Sequence, residues 1–536
     1  MLRLSFILFV ALVVLCVNAA EEATTSPNLK YYYPVPPANP PQTIECDLCV
    51  YGGTPGGVTA AIQMNRMGKK AVLVSFNKFV GGLTSGGLSA TDVGNGKSIG
   101  GMAREFYDRA GTISGFKPSK AEKLFLDMLK EASVPIYYEH RLKSIVKEGN
   151  KIVELEFENG NKFRAKMFVD ATYEGDLLAM AKVSYHVGRE SNATYGETIN
   201  GIQFLKGHNF NYPIDPYKKE GDPSSGLLWG ISAEPPGKPG EGDKKIQAYN
   251  FRMYLSNKED RLPFPKPNGY EPERYALLLR YLKAAKDLNE WSFTYKNGPF
   301  QLQNGDCNNA GGFSTDNIGR NYEWPEADYA TREKIFQDHV TYQQGLMYFM
   351  ANDPSVPELL QSKVKKYGLA AGEFTETGGW PHQLYIREGR RMISDYVMTE
   401  HNCRGKVLAE DSVGMASYTM DSHHCQRVIV DGKVKNEGNV EVGVKQPFPI
   451  SFRSIVPKES ECANLAVPVC LSSTHISYGS IRMEPVFMIL GQSAGTAAAM
   501  AIDAGSAIQK VEYPKLKEKL LAGKQVLEWT AGEKTK

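Results

Sequence analysis

The run Tyr51-Gly52-Gly53-Thr54-Pro55-Gly56-Gly57 is the first place where residue types and spacing can do chemistry. A pyrophosphate is best held by backbone N–H groups at a helix N-terminus, and glycine lets the backbone approach it closely. Gly52 and Gly57 fit the outer positions of G-x-G-x-x-G, while Thr54 stands where the middle glycine belongs. An acid usually ends the second strand of such a unit and holds the adenosine ribose. Here that place is taken by Ser75-Phe76-Asn77-Lys78. A serine followed by a lysine also suits the 2′-phosphate of NADP. By themselves these residues leave FAD and NADP open.

A second group could act on a substrate. Histidine is the usual base near neutral pH, and His423 and His424 are adjacent in a polar segment. Neighbours on an extended chain point opposite ways, so one of the two is expected to face a site. His382 and His475 are weaker candidates. Arg387, Arg390 and Arg391 carry donor forks for a carboxylate. Helical spacing would put Arg387 and Arg391 on one face, where a salt-bridged helix face would account for them equally well. Cys46 and Cys49 have CxxC spacing but no second pair, so zinc is not indicated. Buried packing is expected for them rather than a redox dithiol.

Positioning these groups requires particular elements. Residues 46–51 read as a buried strand, 58–67 as a helix stopped by Gly68, and 71–74 as a second strand. Strand, glycine turn, helix and strand within about 30 residues make one βαβ unit. Ser119-Lys120-Ala121-Glu122 reads as a capping box opening a helix through Ala132. Alternating runs at 144–147, 151–158 and 162–168 predict an antiparallel meander, with 168–172 returning as a buried strand. Beyond them lie helices near 271–288 and 326–350, a strand at 465–471 and a small-residue helix at 483–504. The apolar run 486–502 contains Gly491-x-x-x-Gly495, a membrane-dimer pattern. Its length, its polar Gln492, Ser493 and Thr496, and its charged flanks favour a buried helix.

Further stretches point beyond the turn. These are Gly81-Gly82-Leu83-Thr84-Ser85-Gly86-Gly87, Asp170-Ala171-Thr172-Tyr173-Glu174-Gly175-Asp176 and Gly491-Gln492-Ser493-Ala494-Gly495. With Tyr385-Ile386-Arg387-Glu388-Gly389-Arg390-Arg391, Asp421-Ser422-His423-His424 and Tyr478-Gly479-Ser480-Ile481-Arg482-Met483-Glu484-Pro485, they resemble the FAD-dependent oxidoreductase family of the glutathione-reductase-like superfamily. The resemblance runs from about residue 46 to 504. It implies an α/β fold whose Rossmann-like FAD-binding domain is built from N- and C-terminal segments around an inserted α+β substrate domain. It also implies that Gly52, Gly53, Thr54, Pro55, Gly56 and Gly57 hold the FAD pyrophosphate, with Ser75 at the ribose. Gly81, Gly82, Thr84 and Ser85 would pass the phosphates and ribityl chain, and Asp170, Ala171 and Thr172 would return to the cofactor. The helix beginning near Pro485 and containing Gly491 would aim its N-terminus at the flavin, where negative charge builds up as hydride arrives. On the substrate side, His423 or His424 would be the base, and Arg387, Arg391 and His475 would bind the substrate.

The ends and composition place the reaction. Arg3, an apolar run at 4–17, small residues at Asn18-Ala19-Ala20 and acids at Glu21 and Glu22 follow the order of a secretory signal peptide. Expected boundaries are 1–20 signal peptide, 21–44 proline-rich solvated leader, 45–190 and 451–510 FAD-binding domain, 191–450 substrate domain and 511–536 tail. Asn192-Ala193-Thr194 is a sequon, consistent with a secreted glycoprotein. A net charge of +2 gives no field to draw in nucleic acid or anionic lipid. Of 8 cysteines, Cys16 leaves with the signal, so seven remain, enough for one or two bridges and at least one free thiol. The expectation is a secreted oxidase-like enzyme that oxidises a small organic donor and passes electrons to O₂, releasing H₂O₂. An NADP-linked reductase and a non-catalytic flavin-fold binding protein are the rivals.

Overall fold

The computed structural model describes residues 26–285, 298 and 300–530; the signal segment and the end of the helix expected at 271–288 lie outside them. β1 (Thr43–Tyr51), α1 (Pro55–Arg66) and β2 (Ala71–Val74) form the expected βαβ unit, with Tyr51 opposite Val74 in a parallel pair. All four residues of β2 are buried, as a strand covered on both faces must be. β3 (Ile136–Tyr137) extends the sheet beside β2. β4 (Leu142–Glu148), β5 (Lys151–Phe157) and β6 (Lys162–Asp170) are the meander. β6 also runs parallel to β1 along its whole length, ending with Asp170 opposite Tyr51. Leu465–Ala466 adds a parallel strand against the last turns of β6, so a segment from the far end of the chain completes the sheet. The strand expected at 465–471 is only these two residues.

The helix Glu484–Ala504 lies across α1, and every residue from Glu484 to Ala499 is buried. A Cβ on Gly491 would sit 2.0 Å from the Gly56 carbonyl oxygen, and one on Gly495 2.5 Å from that of Ala60. Thr59 Oγ1 donates to the Met488 carbonyl oxygen at 2.8 Å. Small residues on both helices therefore let the two backbones touch, and the apolar run packs inside the protein.

Four local expectations change. The helix at 118–131 starts on Pro118, which is pre-shaped for a first helical position; Ser119 is thus inside the helix and binds Glu373 instead of capping. Residues 385–390 are irregular and only Arg391–Met392 is regular, as a short strand, so the arginines do not share a helix face. The Tyr385 and Met392 amides are drawn away to the carbonyls of Asn250 and Cys470. The leader is no solvated arm: Leu29 is buried, Tyr31 stacks on Phe76 at 4.7 Å, and the amides of Tyr31 and Tyr32 both donate to Glu333. All seven described cysteines are free thiols. Cys46 and Cys49 sit three apart on β1 and so point to opposite faces. Burial pushes the Cys46 thiol up to about 12 and the Cys49 thiol well above its usual value, leaving no reactive dithiol.

Gly491→Ala should overpack the helix crossing and lower unfolding free energy by about 1–3 kcal/mol. Gly443→Ala, where an added Cβ meets nothing within 4 Å, should stay within about 0.5 kcal/mol in the same urea titration.

Candidate active site

A cleft of about 330 Å³ opens at the ends of β1 and β2, and Gly52, Gly53, Thr54, Ser75, Gly82 and Thr172 line it. Gly52 has φ +117° and lies so close to the Ala171 carbonyl that a Cβ would approach its carbon to 2.5 Å. Its N–H is taken by Val74. Thr54 caps α1, accepting from the Gly57 amide at 3.3 Å and donating to the Ala171 oxygen at 2.7 Å. That double use explains a threonine where a glycine is expected: it ties the turn to the end of β6. Among the described residues, the amides of Gly53 and Thr54 have no acceptor. α1 has no acidic residue in its first turn, so its positive end acts unopposed. Two free donors at a bare helix N-terminus fit a pyrophosphate.

Other expected cofactor residues shape the cleft from behind. A Cβ on Gly56 would meet the Phe487 oxygen at 3.0 Å, and one on Gly57 the Gly52 oxygen at 2.0 Å. Gly491 belongs to the helix crossing described above. Gly81 is a left-handed cap against Phe125, and Ser85 Oγ donates to the Val80 oxygen at 2.6 Å. Ala171 is fully buried beneath Gly52. Asp170 turns inward: its carboxylate accepts from Thr172 and from the Leu178 amide, and burial pushes it up to about 6. Ser75 Oγ donates to the Phe79 oxygen at 3.0 Å while Ser75 still borders the cleft. The leader supplies an opposite wall through Tyr31 and Tyr33, with the Arg141 guanidinium 4.4 Å from the Tyr33 ring centre. His382, also in this cleft, stacks on Phe79 at 3.6 Å, and burial pushes it down to about 3.

Pro55 and Pro485 each stand in the first turn of their helices. At the second of these N-termini sits Glu484, which sequence reasoning did not single out. Its carboxylate accepts from the Thr84 amide (3.1 Å), Thr84 Oγ1 (2.7 Å) and the Tyr173 hydroxyl (2.9 Å). Burial pushes it up to about 7 despite those donors. Glu484 was visible in a motif, but only the convergence of residues 84, 173 and 484 marks it.

A second cavity of about 200 Å³ shares no lining residue with the cleft, but consecutive residues reach the two: His382 and Leu384 line the first, and Tyr385 lines the second. His423 lines this second cavity and His424 does not. His423 Nδ1 lies 2.7 Å from Asp316 Oδ2, and its Nε2 lies 3.6 Å from Asp421 Oδ2. Burial alone would raise the Asp316 carboxyl, but Arg387 and His423 outweigh it and hold it below the usual carboxylate range. An ionised Asp316 takes the Nδ1–H and leaves Nε2 as the basic nitrogen. Burial would likewise raise Asp421, yet His423 and Arg482 keep it low. His424 is buried away from the cavity, and that burial pushes it well below its usual value.

The expected substrate-binding trio is corrected by its surroundings. Arg387 pairs with Asp316 at 3.0 Å and donates to Ala248 and Asn250, so it fixes the partner of His423. Arg391 is consumed by Glu388, by Glu190 at 2.7 Å and by two carbonyls. His475 lies between Glu388 (2.7 Å) and Ser422 (3.0 Å), and burial pushes it down to about 3. Arg387 and Arg391 are fully buried and line neither the cleft nor the second cavity, although Arg387 Nε has no partner. The arginine that does line the cavity is Arg252, with Nε 2.8 Å from Asp306. No sequence motif surrounds it. Among the described residues no cluster of His, Cys, Asp and Glu is arranged to hold a metal.

The family model described as FAD dependent oxidoreductase matches residues 47–520. No curated protein matches the chain. Solved structures similar to part of it include a flavin-containing monooxygenase from Stenotrophomonas maltophilia, at 15% identity over 30% of this chain and 45% of that one, TM-score 0.21. The L-proline dehydrogenase from P. horikoshii is 15% identical over 28% of this chain and 59% of its own, TM-score 0.21. THI4 from Thermovibrio ammonificans is 17% identical over 26% and 64%, TM-score 0.22. The chain thus covers less than two thirds of each of these neighbours.

A carboxyl whose folded value is about 7 favours folding while protonated, so its contribution is lost as pH rises from about 4.3 through 7. In flavin-stripped protein, Glu484→Gln should remove that loss. Its unfolding free energy relative to the parent should rise by roughly 3 kcal/mol between pH 4 and pH 8. Parallel pH profiles for the two proteins would contradict the assignment.

Proposed function

Since the chain belongs to the FAD dependent oxidoreductase family, we propose that it oxidises a small organic donor at a carbon bearing a hydroxyl or amine, using His423 as base and O₂ as final acceptor, with release of H₂O₂. FAD is the cofactor; when bound it accepts the two electrons. Gly53, Thr54 and the N-terminus of α1 would hold its pyrophosphate, with Ser75, Gly82 and Thr172 lining the rest of the cleft. One observation carries the reading: a histidine with a buried carboxylate partner lines a cavity whose wall residue Tyr385 directly follows Leu384 of the cofactor cleft.

His423 accepts the donor's O–H or N–H proton at Nε2. Asp316 holds the opposite ring nitrogen and steadies the imidazolium that forms, while Arg387 keeps Asp316 ionised and in place. Asp421 lies 3.6 Å from Nε2 and is itself held by Arg482 at 2.7 Å. Secretion is supported by the basic start, apolar run and small residues of the first 20 positions. Outside the cell a nicotinamide supply is lacking, which favours O₂ as acceptor. The sequon asparagine, Asn192, is half-buried, with its Oδ1 accepting from Asn200.

Purified protein should show the two visible absorption bands of oxidised flavin. His423→Ala should lower kcat for peroxide formation by about 10²–10⁴-fold, whereas His424→Ala should leave kcat nearly unchanged in whatever fraction folds. Equal losses in the two variants, at equal flavin content, would remove His423 from its role. N-terminal sequencing of protein recovered from medium should begin at Ala20 or Glu21.

A further inference from the structure

The second cavity has one wall of unusual regularity. Strands Phe300–Gln303 and Asp306–Asn309 form an antiparallel hairpin with Gln301 opposite Asn308 and Gln303 opposite Asp306. Residues directly opposite, and residues two apart, share a face of such a pair. Gln301, Gln303, Asp306 and Asn308 therefore form one polar face, and all four line the cavity. Of the alternating residues, Cys307 is fully buried and Leu302 packs against the core, while Asn309 at the strand end also lines the cavity. Among the described residues, the side-chain amides of Gln301 and Gln303 have no protein partner. Across the cavity Asn439, only 4% exposed, has an Nδ2 with no partner either. A buried amide N–H left unpaired is costly, so its presence in a cavity wall points to a ligand that accepts from it.

Three of the four acids facing this space are ion-paired. Arg252 is paired with Asp306, Asp421 with Arg482, and Glu441 with His208 at 2.9 Å. Asp92 has no ion pair; burial raises its carboxyl toward the neutral form, and the Tyr418 hydroxyl bonds to it. A carboxylate substrate would need a cation not already paired, and an ammonium substrate an ionised acid not already paired. A carboxamide both donates and accepts, as a hydroxyl does, and the Tyr385 and Tyr418 rings add apolar faces against which C–H surfaces can rest.

We propose that the donor is a neutral polyhydroxylated molecule of the sugar or polyol class, whose hydroxyls are bound by Gln301, Gln303, Asn308 and Asn439 while His423 faces the reacting carbon. This rests on the reading of His423 as base in the same cavity, but the recognition residues are independent of it.

Anaerobic calorimetric titration of the holoprotein with monosaccharides, disaccharides and linear polyols, alongside lactate and benzylamine, tests the assignment. At least one neutral polyol should bind, and lactate and benzylamine should not. Gln301→Ala and Gln303→Ala should each weaken the polyol by about tenfold, the loss of one or two hydrogen bonds, at unchanged flavin content and melting temperature. No binding by any polyol, tighter binding of lactate or benzylamine, or binding indifferent to both hairpin variants would overturn it. Should a hairpin variant lose flavin or melt earlier, the conservative Gln301→Asn and Gln303→Asn variants decide on the same criterion. The two readings fail separately. If His423→Ala binds polyols and turns them over normally, the base assignment falls and the substrate class stands. If turnover depends on His423 but only charged donors bind, the substrate class falls alone.

Discussion

The close crossing of α1 and the Glu484–Ala504 helix is the contact on which the rest depends. It joins segments more than 400 residues apart, and it exists only because Gly56, Ala60, Gly491 and Gly495 leave no side chain between the backbones. Its consequence is positional. The two helices begin side by side, each with a proline in its first turn, so two positive helix ends face one region. One end meets the free amides of Gly53 and Thr54, the other the Thr84–Tyr173–Glu484 cluster. A bulkier crossing would separate these ends and with them the two halves of a cofactor site.

Around that crossing the inserted residues are held by buried ion pairs rather than by a second large sheet. Arg189 bridges Asp243 and Glu437, Arg391 bridges Glu190 and Glu388, and Asp176 receives both Arg332 and Arg390. A charge removed from water must find its opposite, so these pairings fix which segments lie together. They also remove most arginines from chemistry. What remains at the cavity is a His–Asp pair with Arg387 behind it, beside a polar hairpin face. The tyrosine-rich leader closes the other side of the cleft: its rings stack on Phe76 and Arg141 while glutamates 139, 158 and 333 take its polar groups.

Local pattern made the nucleotide-binding half of the fold legible. The strand, glycine turn, helix and strand, the meander and the late small-residue helix each carry their own periodicity or turn chemistry within a short window. Of the cleft-lining residues, Gly52, Gly53, Thr54 and Ser75 came from the same windows, while Gly82 and Thr172 came from the family resemblance. Where Pro118 competed with Ser119, or the Tyr385 and Met392 amides were claimed by distant carbonyls, local propensity lost to tertiary bonding. The leader misled for the same reason, since nothing within residues 31–41 reveals Phe76 or Glu333 waiting for it.

By itself, then, the sequence determined a βαβ dinucleotide turn, a membership extending over most of the chain and a short roster of histidines and arginines. These depend on covalent order and on spacing, which the sequence contains. Which roster members serve was decided only in three dimensions. His423 and His424 differ by one residue, yet one lines a cavity and the other is entombed, because an extended chain sends neighbours to opposite sides. Arg387 and Arg391 look equivalent in the sequence, yet burial pairs one with the partner of His423 and the other with a structural glutamate pair. Arg252 and the Gln301–Asn308 face have no local signature, and Glu484 stands in a motif that gives it no role. Their meaning lies in what distant segments bring beside them, and a paired buried charge or an unpaired buried amide acquires its chemistry from those neighbours alone.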